Sequence, residues 1–108
     1  MQEEAAYFKV LANQTRLRLM VILALEGETC VCKLAQALAA PESRISRHLG
    51  IMRMAGIVEA RREGTWMHYK LSDTKNRLEV CLQDCFRDCF AEHQTIKADI
   101  GRLDQATC

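Results

Sequence analysis

The sequence is poor in the residues that interrupt regular structure. It has one proline, Pro41, and five glycines among 108 residues, and no stretch rich in Gly, Ser or Pro. A flexible linker and a low-complexity segment are therefore excluded, and the length suits a single domain over residues 1–108. The longest apolar run, Leu19–Leu25, is far too short to cross a bilayer.

The N-terminal residues also lack a secretory signal. The stretch MQEEAAYFKV carries two acids and has neither a basic head nor an apolar core. We therefore expect a cytoplasmic protein with no membrane partner, whose thiols stay reduced and free. Six cysteines are many for this length and favour metal or redox chemistry. They are Cys30, Cys32, Cys81, Cys85, Cys89 and Cys108.

Charge is spread unevenly along the chain, although the formal net charge is only +1. Residues 44–70 contain six bases and two acids, which gives +4, whereas the remainder carries nine bases and twelve acids, which gives −3. A basic segment in an otherwise acidic chain is typical of a face that binds a polyanion. The alternative on charge alone is a merely solvated surface.

The hydrophobic pattern predicts a mainly α-helical domain whose first half ends in a helix–turn–helix. After a short N-terminal helix, the apolar stretch TRLRLMVILAL should form a central helix, capped by Asn13 and ended by Gly27. A helix–turn–helix is expected over residues 31–56, with Pro41 at the first position of its second helix. The inward stripe of that second helix should consist of Ile45, Leu49 and Met52.

A β-hairpin and one long helix should complete the domain. Alternating residues over 57–71 predict a hairpin wing that turns at Glu63–Gly64. A single helix is expected over residues 73–100, with His93 on its apolar stripe as a core residue. His68 belongs to the wing.

Several polar side chains of this arrangement are expected to bind DNA. The second helix of a helix–turn–helix reads bases in the major groove, and a basic wing touches phosphates or the minor groove. His48 lies on the reading helix and is expected either to contact DNA or to pack. The candidate DNA-binding residues are Ser43, Arg44, Ser46, Arg47, His48, Arg61 and Arg62.

Two stretches together resemble the ArsR/SmtB family of bacterial winged-helix repressors. They are LANQTRLRLMVILAL and ISRHLGIMRMAGIVEARREGTWMHYKL, and the resemblance covers about Tyr7 to Leu71. It implies a homodimer, paired through the first and last helices, that represses by binding double-stranded operator DNA and lets go when metal binds.

The pattern C-V-C-x-L at Cys30–Leu34 looks like the arsenic-sensing branch of that family. The resemblance implies that Cys30 and Cys32 bind the inducer, which is trivalent arsenic in the form of arsenite, or the antimony analogue antimonite. That branch often has a third cysteine three residues after the second, where this chain has Ala35. The usual third ligand is thus missing from the helix, and its position is expected to be filled by another cysteine, by solvent or by an added thiol.

The chemistry of the pair favours the same site over ordinary packing of two small hydrophobes. Thiolates are natural ligands of a soft centre, and a helix N-terminus lowers the pKa of a thiol. In a regular helix, residues i and i+2 point about 200° apart, so Cys30 and Cys32 cannot easily grip one ion. A ligand that takes both should therefore deform the start of the helix that supports the reading helix.

The other cysteines leave two interpretations open. Cys81, Cys85 and Cys89 recur every four residues, and the outer two lie about 12 Å apart along a helix. They either pack as small residues at the dimer seam or form a second site for a soft metal or an arsenical. Cys108 is terminal and is expected to be mobile; the alternative is that it folds back as a third ligand.

Other functions remain as alternatives. Cysteine oxidation, rather than a ligand, would release DNA in a thiol-based redox sensor, and cadmium or lead would suit the same thiolates. Zinc and nickel are poorly supported, because the last helix lacks the paired Asp/His spacing of zinc-sensing relatives. An enzyme is not expected, because the sequence shows no nucleophile–base arrangement and no phosphate-binding loop.

Overall fold

The computed structural model describes all 108 residues and confirms the predicted fold class, a helical domain with a β-hairpin wing. No helix is long and apolar enough to cross a membrane. The elements are α1 (Gln2–Leu11), α2 (Gln14–Glu26), β1 (Thr29–Cys30), α3 (Val31–Leu38), α4 (Glu42–Met54), β2 (Val58–Glu63), β3 (Trp66–Leu71), α5 (Arg77–Phe90) and α6 (Gln94–Gln105).

Helix α2 is the centre of the core, as its nearly continuous apolar surface predicts. It begins at the predicted cap, where the Asn13 side chain accepts a hydrogen bond from the Arg16 backbone N–H at 3.1 Å. It ends at Gly27, whose φ of +76° suits glycine. Helices α1, α3, α4, α5 and α6 all pack around it, and five consecutive residues, 19–23, are buried.

The helix–turn–helix consists of α3 and α4, joined by a three-residue turn. Ala39 ends α3 in the left-handed conformation, with φ +51°, and its N–H bonds back into the last turn of that helix. Pro41 precedes α4 as its N-cap, one position earlier than predicted, because its carbonyl accepts the N–H of Ile45 while its own backbone stays extended. The predicted inward stripe of α4, namely Ile45, Leu49 and Met52, is completely buried.

The wing belongs to a three-stranded antiparallel sheet with the order β1–β3–β2. The hairpin loop consists of residues 64–65, one position later than predicted, because Glu63 still pairs with Trp66. Strand β1 was not predicted from the sequence, because two residues are too few to show the alternation of apolar and polar residues that is typical of a strand. Its residues pair with β3, Thr29 opposite Tyr69 and Cys30 opposite His68, so the wing is tied to the start of α3.

The predicted single helix over residues 73–100 is wrong, because the chain folds back and forms two helices. Helix α5 ends at Phe90, and α6 begins after His93, whose ring Nδ1 accepts the Thr95 backbone N–H at 3.1 Å. His93 is exposed and caps a helix, so the expectation that it packs in the core is also wrong. The reversal lets Ile96, Asp99 and Leu103 of α6 become buried.

A fully buried carboxylate fixes the position of α6. The two oxygens of Asp99 accept hydrogen bonds from Arg18 of α2, at 2.9 and 2.7 Å, and Arg102 donates to the same group at 2.7 Å. The bond to Asp99 raises the pKa of Arg18 above its ordinary value. Arg102 also donates to the Ala37 carbonyl of α3 at 2.8 Å. This network joins α2, α3 and α6.

Substituting Asp99 with alanine should destabilise the fold by about 1–3 kcal/mol, because Arg18 and Arg102 lose their hydrogen bonds to a charged group while both guanidiniums stay partly open to solvent. The free energy of unfolding in urea, at one fixed protein concentration, measures the loss. Asp104→Ala is the matched control, since Asp104 is an exposed carboxylate on the same helix and should change stability little. Equal losses in the two variants would contradict the role of the network.

Candidate thiol site and nucleic-acid interface

The outer face of α4 carries the side chains that the sequence assigned to DNA reading. Ser43, Arg44, Ser46 and Arg47 are all exposed, on the side of the helix opposite its buried stripe. None of the four makes a side-chain hydrogen bond or ion pair within the chain. Their donors and charges are therefore available to an external partner.

His48 is half-buried at the edge of that face and packs against α2. Its Nδ1 lies 3.2 Å from Nη1 of Arg16. Since a guanidinium can only donate, Nδ1 accepts this bond and the ring proton sits on Nε2. Burial, followed by the charges of Arg16, Arg47 and Arg44, lowers the pKa of His48. Of the two roles expected for His48, contact with DNA or packing within the chain, the structure shows the packing. The lowered pKa favours the neutral imidazole.

The two arginines of the wing differ in their surroundings. Arg61 donates to Glu28 at 2.8 Å and to Glu63 at 2.7 Å, which lowers the pKa of both carboxyl groups. Arg62 is exposed, and no carboxylate of the chain lies within ion-pair distance of it. Arg62 is consequently the unpaired basic side chain of this strand, which the sequence alone did not distinguish from Arg61.

The C-x-C pair is divided between a strand and a helix. Cys30 is the N-cap residue of α3, and its backbone is extended because it pairs with His68 as part of β1. Its side chain is buried, and its thiol is free. Cys32 lies in the first turn of α3 and is half-buried. Helix α3 therefore begins at Val31, between the two cysteines, as the sequence predicts.

Cys32 forms a disulfide with Cys108, so two expectations from the sequence are wrong. Four of the six cysteines are free rather than all six, and Cys108 is held against α3 rather than mobile. The reason is that α6 packs along α3 and returns the last residues of the chain to the start of that helix. The two Cα atoms lie 6.3 Å apart although 76 residues separate them in sequence.

Gln36 holds the C-terminal residues against α3, a role that was not predicted from the sequence. Its amide nitrogen donates to the Thr107 carbonyl at 2.8 Å, and its amide oxygen accepts the Thr107 N–H at 3.3 Å. The same nitrogen lies 3.2 Å from Sγ of Cys32, one helical turn earlier. Only the spacing of four residues from Cys32 could have signalled this role.

The three cysteines of α5, namely Cys81, Cys85 and Cys89, are free and exposed, and they are separate from the cysteines near α3. Sγ of Cys85 lies 3.6 Å from Sγ of Cys89, and the hydrogen bond between them, with the charge of Cys89, raises the pKa of Cys85. No group of three or more His, Cys, Asp or Glu side chains is arranged to hold a metal ion. The predicted thiol residues therefore fall into two separate places, α3 with the C-terminus and α5.

Comparison with known proteins identifies the family. The model of the bacterial regulatory protein arsR family matches residues 13–60, which span α2, β1, the helix–turn–helix and the beginning of the wing. The HTH-type transcriptional regulator MJ1325 of Methanocaldococcus jannaschii is 41% identical over 83 residues, which are 77% of this chain and 93% of that protein. The chain belongs to the ArsR family. The predicted resemblance is confirmed.

Relatives with named responses match a shorter stretch. The arsenical resistance operon repressor of Escherichia coli is 46% identical over 65 residues, 60% of this chain and 56% of that repressor. A cadmium resistance regulatory protein homologue of Staphylococcus aureus is 38% identical over 69 residues, 64% of this chain and 57% of that protein. The chain thus spans little more than half the length of these two ArsR-family relatives.

Solved structures show the same winged helix–turn–helix. A homodimeric DNA-binding domain from Mycobacterium bovis is 32% identical with a TM-score of 0.68, over 85% of this chain and 82% of the other. The transcriptional repressor BigR of Xylella fastidiosa is 31% identical with a TM-score of 0.71, over 86% and 88%. This ArsR-family chain is a transcriptional regulator, and its relatives and structural neighbours are regulators rather than enzymes.

Protein kept without reductant should contain four titratable thiols under denaturing conditions and six after reduction, because only Cys32 and Cys108 are paired. Reaction with a chromogenic disulfide reagent measures the count. The variant Cys108→Ser should show five thiols without reductant, since Cys32 then has no partner. Six thiols in the untreated wild-type protein would contradict the pairing.

Proposed function

We propose that the chain is an operator-binding repressor, released from DNA by trivalent arsenic bound to thiolates around Cys32. The observation that carries the proposal is the position of Cys32 in the first turn of α3, the helix packed against the reading helix α4. The arsenical resistance repressor of Escherichia coli, as a relative in the same family, supports arsenic as the inducer.

The cysteines near α3 suit this ligand in chemical kind. Once Cys32 and Cys108 are reduced, two thiols stand side by side, and Cys30 is two residues from Cys32. Trivalent arsenic is a soft centre that forms bonds to thiolates, so Cys30, Cys32 and Cys108 are the residues that would hold it. Cys108 then takes the role of the third ligand, whose usual position holds Ala35.

The position of Cys30 gives these thiols a mechanical connection to DNA. Cys30 pairs with His68 in the wing, and Cys32 belongs to α3. Drawing both thiols to one place competes with the β1–β3 pairing and with the first turn of α3. The wing and the helix–turn–helix therefore change their relation when this segment is distorted. A difference in affinity of about 1–3 kcal/mol between the two states is typical of such coupling.

DNA recognition is assigned to α4 and the wing. We propose that Arg44 and Arg47, with Ser43, Ser46 and His48, meet base edges and phosphates in the major groove, because their side chains lie on the outer face or edge of α4. Arg62 supplies the phosphate contact of the wing. Arg61 contributes less, because Glu28 and Glu63 already neutralise its guanidinium.

Replacing Arg47 with alanine should weaken operator binding by about 1–3 kcal/mol, because a donor to the DNA is lost. The double variant Arg44→Ala/Arg47→Ala should lose most specific binding, as measured by fluorescence anisotropy at several salt concentrations. Lys97→Ala is the control, since this exposed base on α6 is paired with Glu92. Unchanged affinity of the double variant would remove α4 from the interface.

The wing provides a second, matched comparison within the same titrations. Arg62→Ala should lower the slope of log affinity against log salt by about 0.9 for each chain of the bound dimer, the value for one phosphate contact. Arg61→Ala should change the slope less, because its charge is already paired. A larger effect of Arg61 would contradict the assignment.

A homodimer is proposed from the surface shared by α1 and α5. Phe8 on α1 and Leu78 and Val80 on α5 remain exposed although they are large and apolar. Tyr7 and Val10 of α1 line one cavity together with Leu78 and Glu79 of α5. Burial there, together with the charge of Glu79, raises the pKa of Tyr7 to about 12. The homodimeric neighbour from Mycobacterium bovis supports this assembly, and two copies would present two reading helices about one DNA turn, ~34 Å, apart.

Sedimentation at micromolar concentration should therefore give the mass of two chains. The variant Phe8→Glu/Val80→Glu should shift the protein towards monomer, because it places charge on the apolar surface. Met54→Glu is the control, since Met54 is also an exposed apolar residue, 90% exposed, but lies on α4. A wild-type protein that sediments as a monomer would contradict the proposed dimer.

Cys30→Ser and Cys32→Ser should each abolish release by arsenite under strong reductant and leave operator affinity nearly intact. Cys108→Ser should weaken the response, and Cys81→Ser, which changes an exposed thiol on α5, should respond like the wild type. Operator release titrated with arsenite, antimonite and cadmium measures the effect. An essential role for the α5 cysteines with a dispensable Cys30 would move the sensor to α5.

Redox control is a second candidate, favoured by the disulfide between Cys32 and Cys108. In this case, oxidation of the two thiols by a disulfide reagent transfers two electrons and two protons to the oxidant and changes operator affinity without any metalloid. The variant Cys30→Ser separates the two functions. It should lose the arsenite response but keep an oxidation response, which needs only Cys32 and Cys108.

A further inference from the structure

Helix α5 carries two neighbouring free thiols that the proposed switch on α3 does not use. Cys85 and Cys89 lie one turn apart on the same exposed surface, with their sulfur atoms 3.6 Å from each other. We propose that this pair is a second thiol site, which binds a trivalent organoarsenical, an arsenic centre with one organic group and two exchangeable positions.

The separation of the two sulfur atoms suits a single bridging centre. Two thiolates bound at about 2.3 Å to one tetrahedral ion lie about 3.8 Å apart, and the observed distance is close to this value. The helix supplies this spacing by itself, because residues i and i+4 are neighbours on its surface. A ligand can therefore bridge the pair without unfolding a turn, in contrast to Cys30 and Cys32.

The number of donors selects the kind of ligand. Zinc and similar cations take four ligands in structural sites, whereas no third His, Cys, Asp or Glu completes a metal-binding group with this pair. Cys81, one further turn away, would extend the row along the helix rather than close around an ion. A centre that needs only two thiolates is satisfied by Cys85 and Cys89 alone.

The protons of the pair also agree with such a ligand. The hydrogen bond with Cys89 raises the pKa of Cys85, which favours the thiol form of Cys85. An organoarsenic oxide accepts both thiol protons on its oxygen, two sulfur–arsenic bonds form, and one water leaves. Arsenic stays trivalent throughout, so the reaction needs no oxidant or reductant.

This site goes beyond the proposed function and can be tested apart from it. The probe is phenylarsine oxide, added to the intact protein in the presence of a monothiol reductant, and native mass spectrometry counts the adducts. The starting protein carries Cys30→Ser, Cys32→Ser and Cys108→Ser, so that the thiols near α3 are absent. One phenylarsenic group per chain is expected, with the loss of one water.

The matched variants add one substitution each to this protein. Cys81→Ser, which leaves only Cys85 and Cys89, should keep the adduct, whereas Cys85→Ser should lose it, and a dithiol should remove it from the pair. Cys85→Ala serves if the serine variant loses its helical circular dichroism. No adduct on the starting protein, or an adduct that survives the loss of Cys85, would overturn the site. The adducts are counted on the protein in its own oligomeric state, so a pair that a second chain covers would give the first of these results and would likewise overturn the site.

Discussion

The buried carboxylate of Asp99 is the interaction on which the arrangement of the thiols depends. It is completely enclosed, and it is neutralised by Arg18 of the central helix and Arg102 of its own helix. Because an unpaired charge in that position is costly, α6 is confined to one orientation against α2 and α3. This orientation brings Thr107 to Gln36 and Cys108 to Cys32. A helix that looks like a peripheral extension therefore determines the chemistry of the first turn of α3.

Features that depend on neighbouring residues could be predicted from the sequence. Asn13 and Gly27 bound α2 as expected, and Ile45, Leu49 and Met52 face the core, because caps, glycine turns and helical spacing act within a few residues. The exposure of Arg44 and Arg47 follows from the same spacing. The fold class was predictable for this reason, whereas the family was predicted from the resemblance of two stretches between Tyr7 and Leu71.

The features that were missed all depend on contacts between distant segments. The reversal at His93 is favoured by the burial of Asp99 and Leu103 against earlier helices, which no pattern within α6 announces. The two residues of β1 are extended because β3, about 40 positions later, pairs with them. Charge counting gave Arg61 and Arg62 equal roles, since the position of Glu28 beside Arg61 appears only in the fold.

The disulfide imposes a choice on Cys32 that the sequence pattern does not contain. A sulfur bonded to Cys108 has no thiolate to offer, so the oxidised chain and a chain with a ligand on Cys32 are mutually exclusive states. Sensing a soft ligand at α3 would thus require a reducing environment. The α5 thiols, which are free in the same structure, are not subject to this restriction.

Strand β1 has a consequence for the rigidity of the wing before DNA arrives. An isolated two-stranded hairpin is marginally stable in water, and three strands are more robust. Here the third strand is only Thr29 and Cys30, yet it pairs with β3 along its other edge and anchors the hairpin to the helix–turn–helix. The conformational entropy of the wing is thereby reduced in the unbound protein, so less ordering remains to oppose association. If the proposed ligand draws Cys30 away from β3, the wing loses part of this preorganisation.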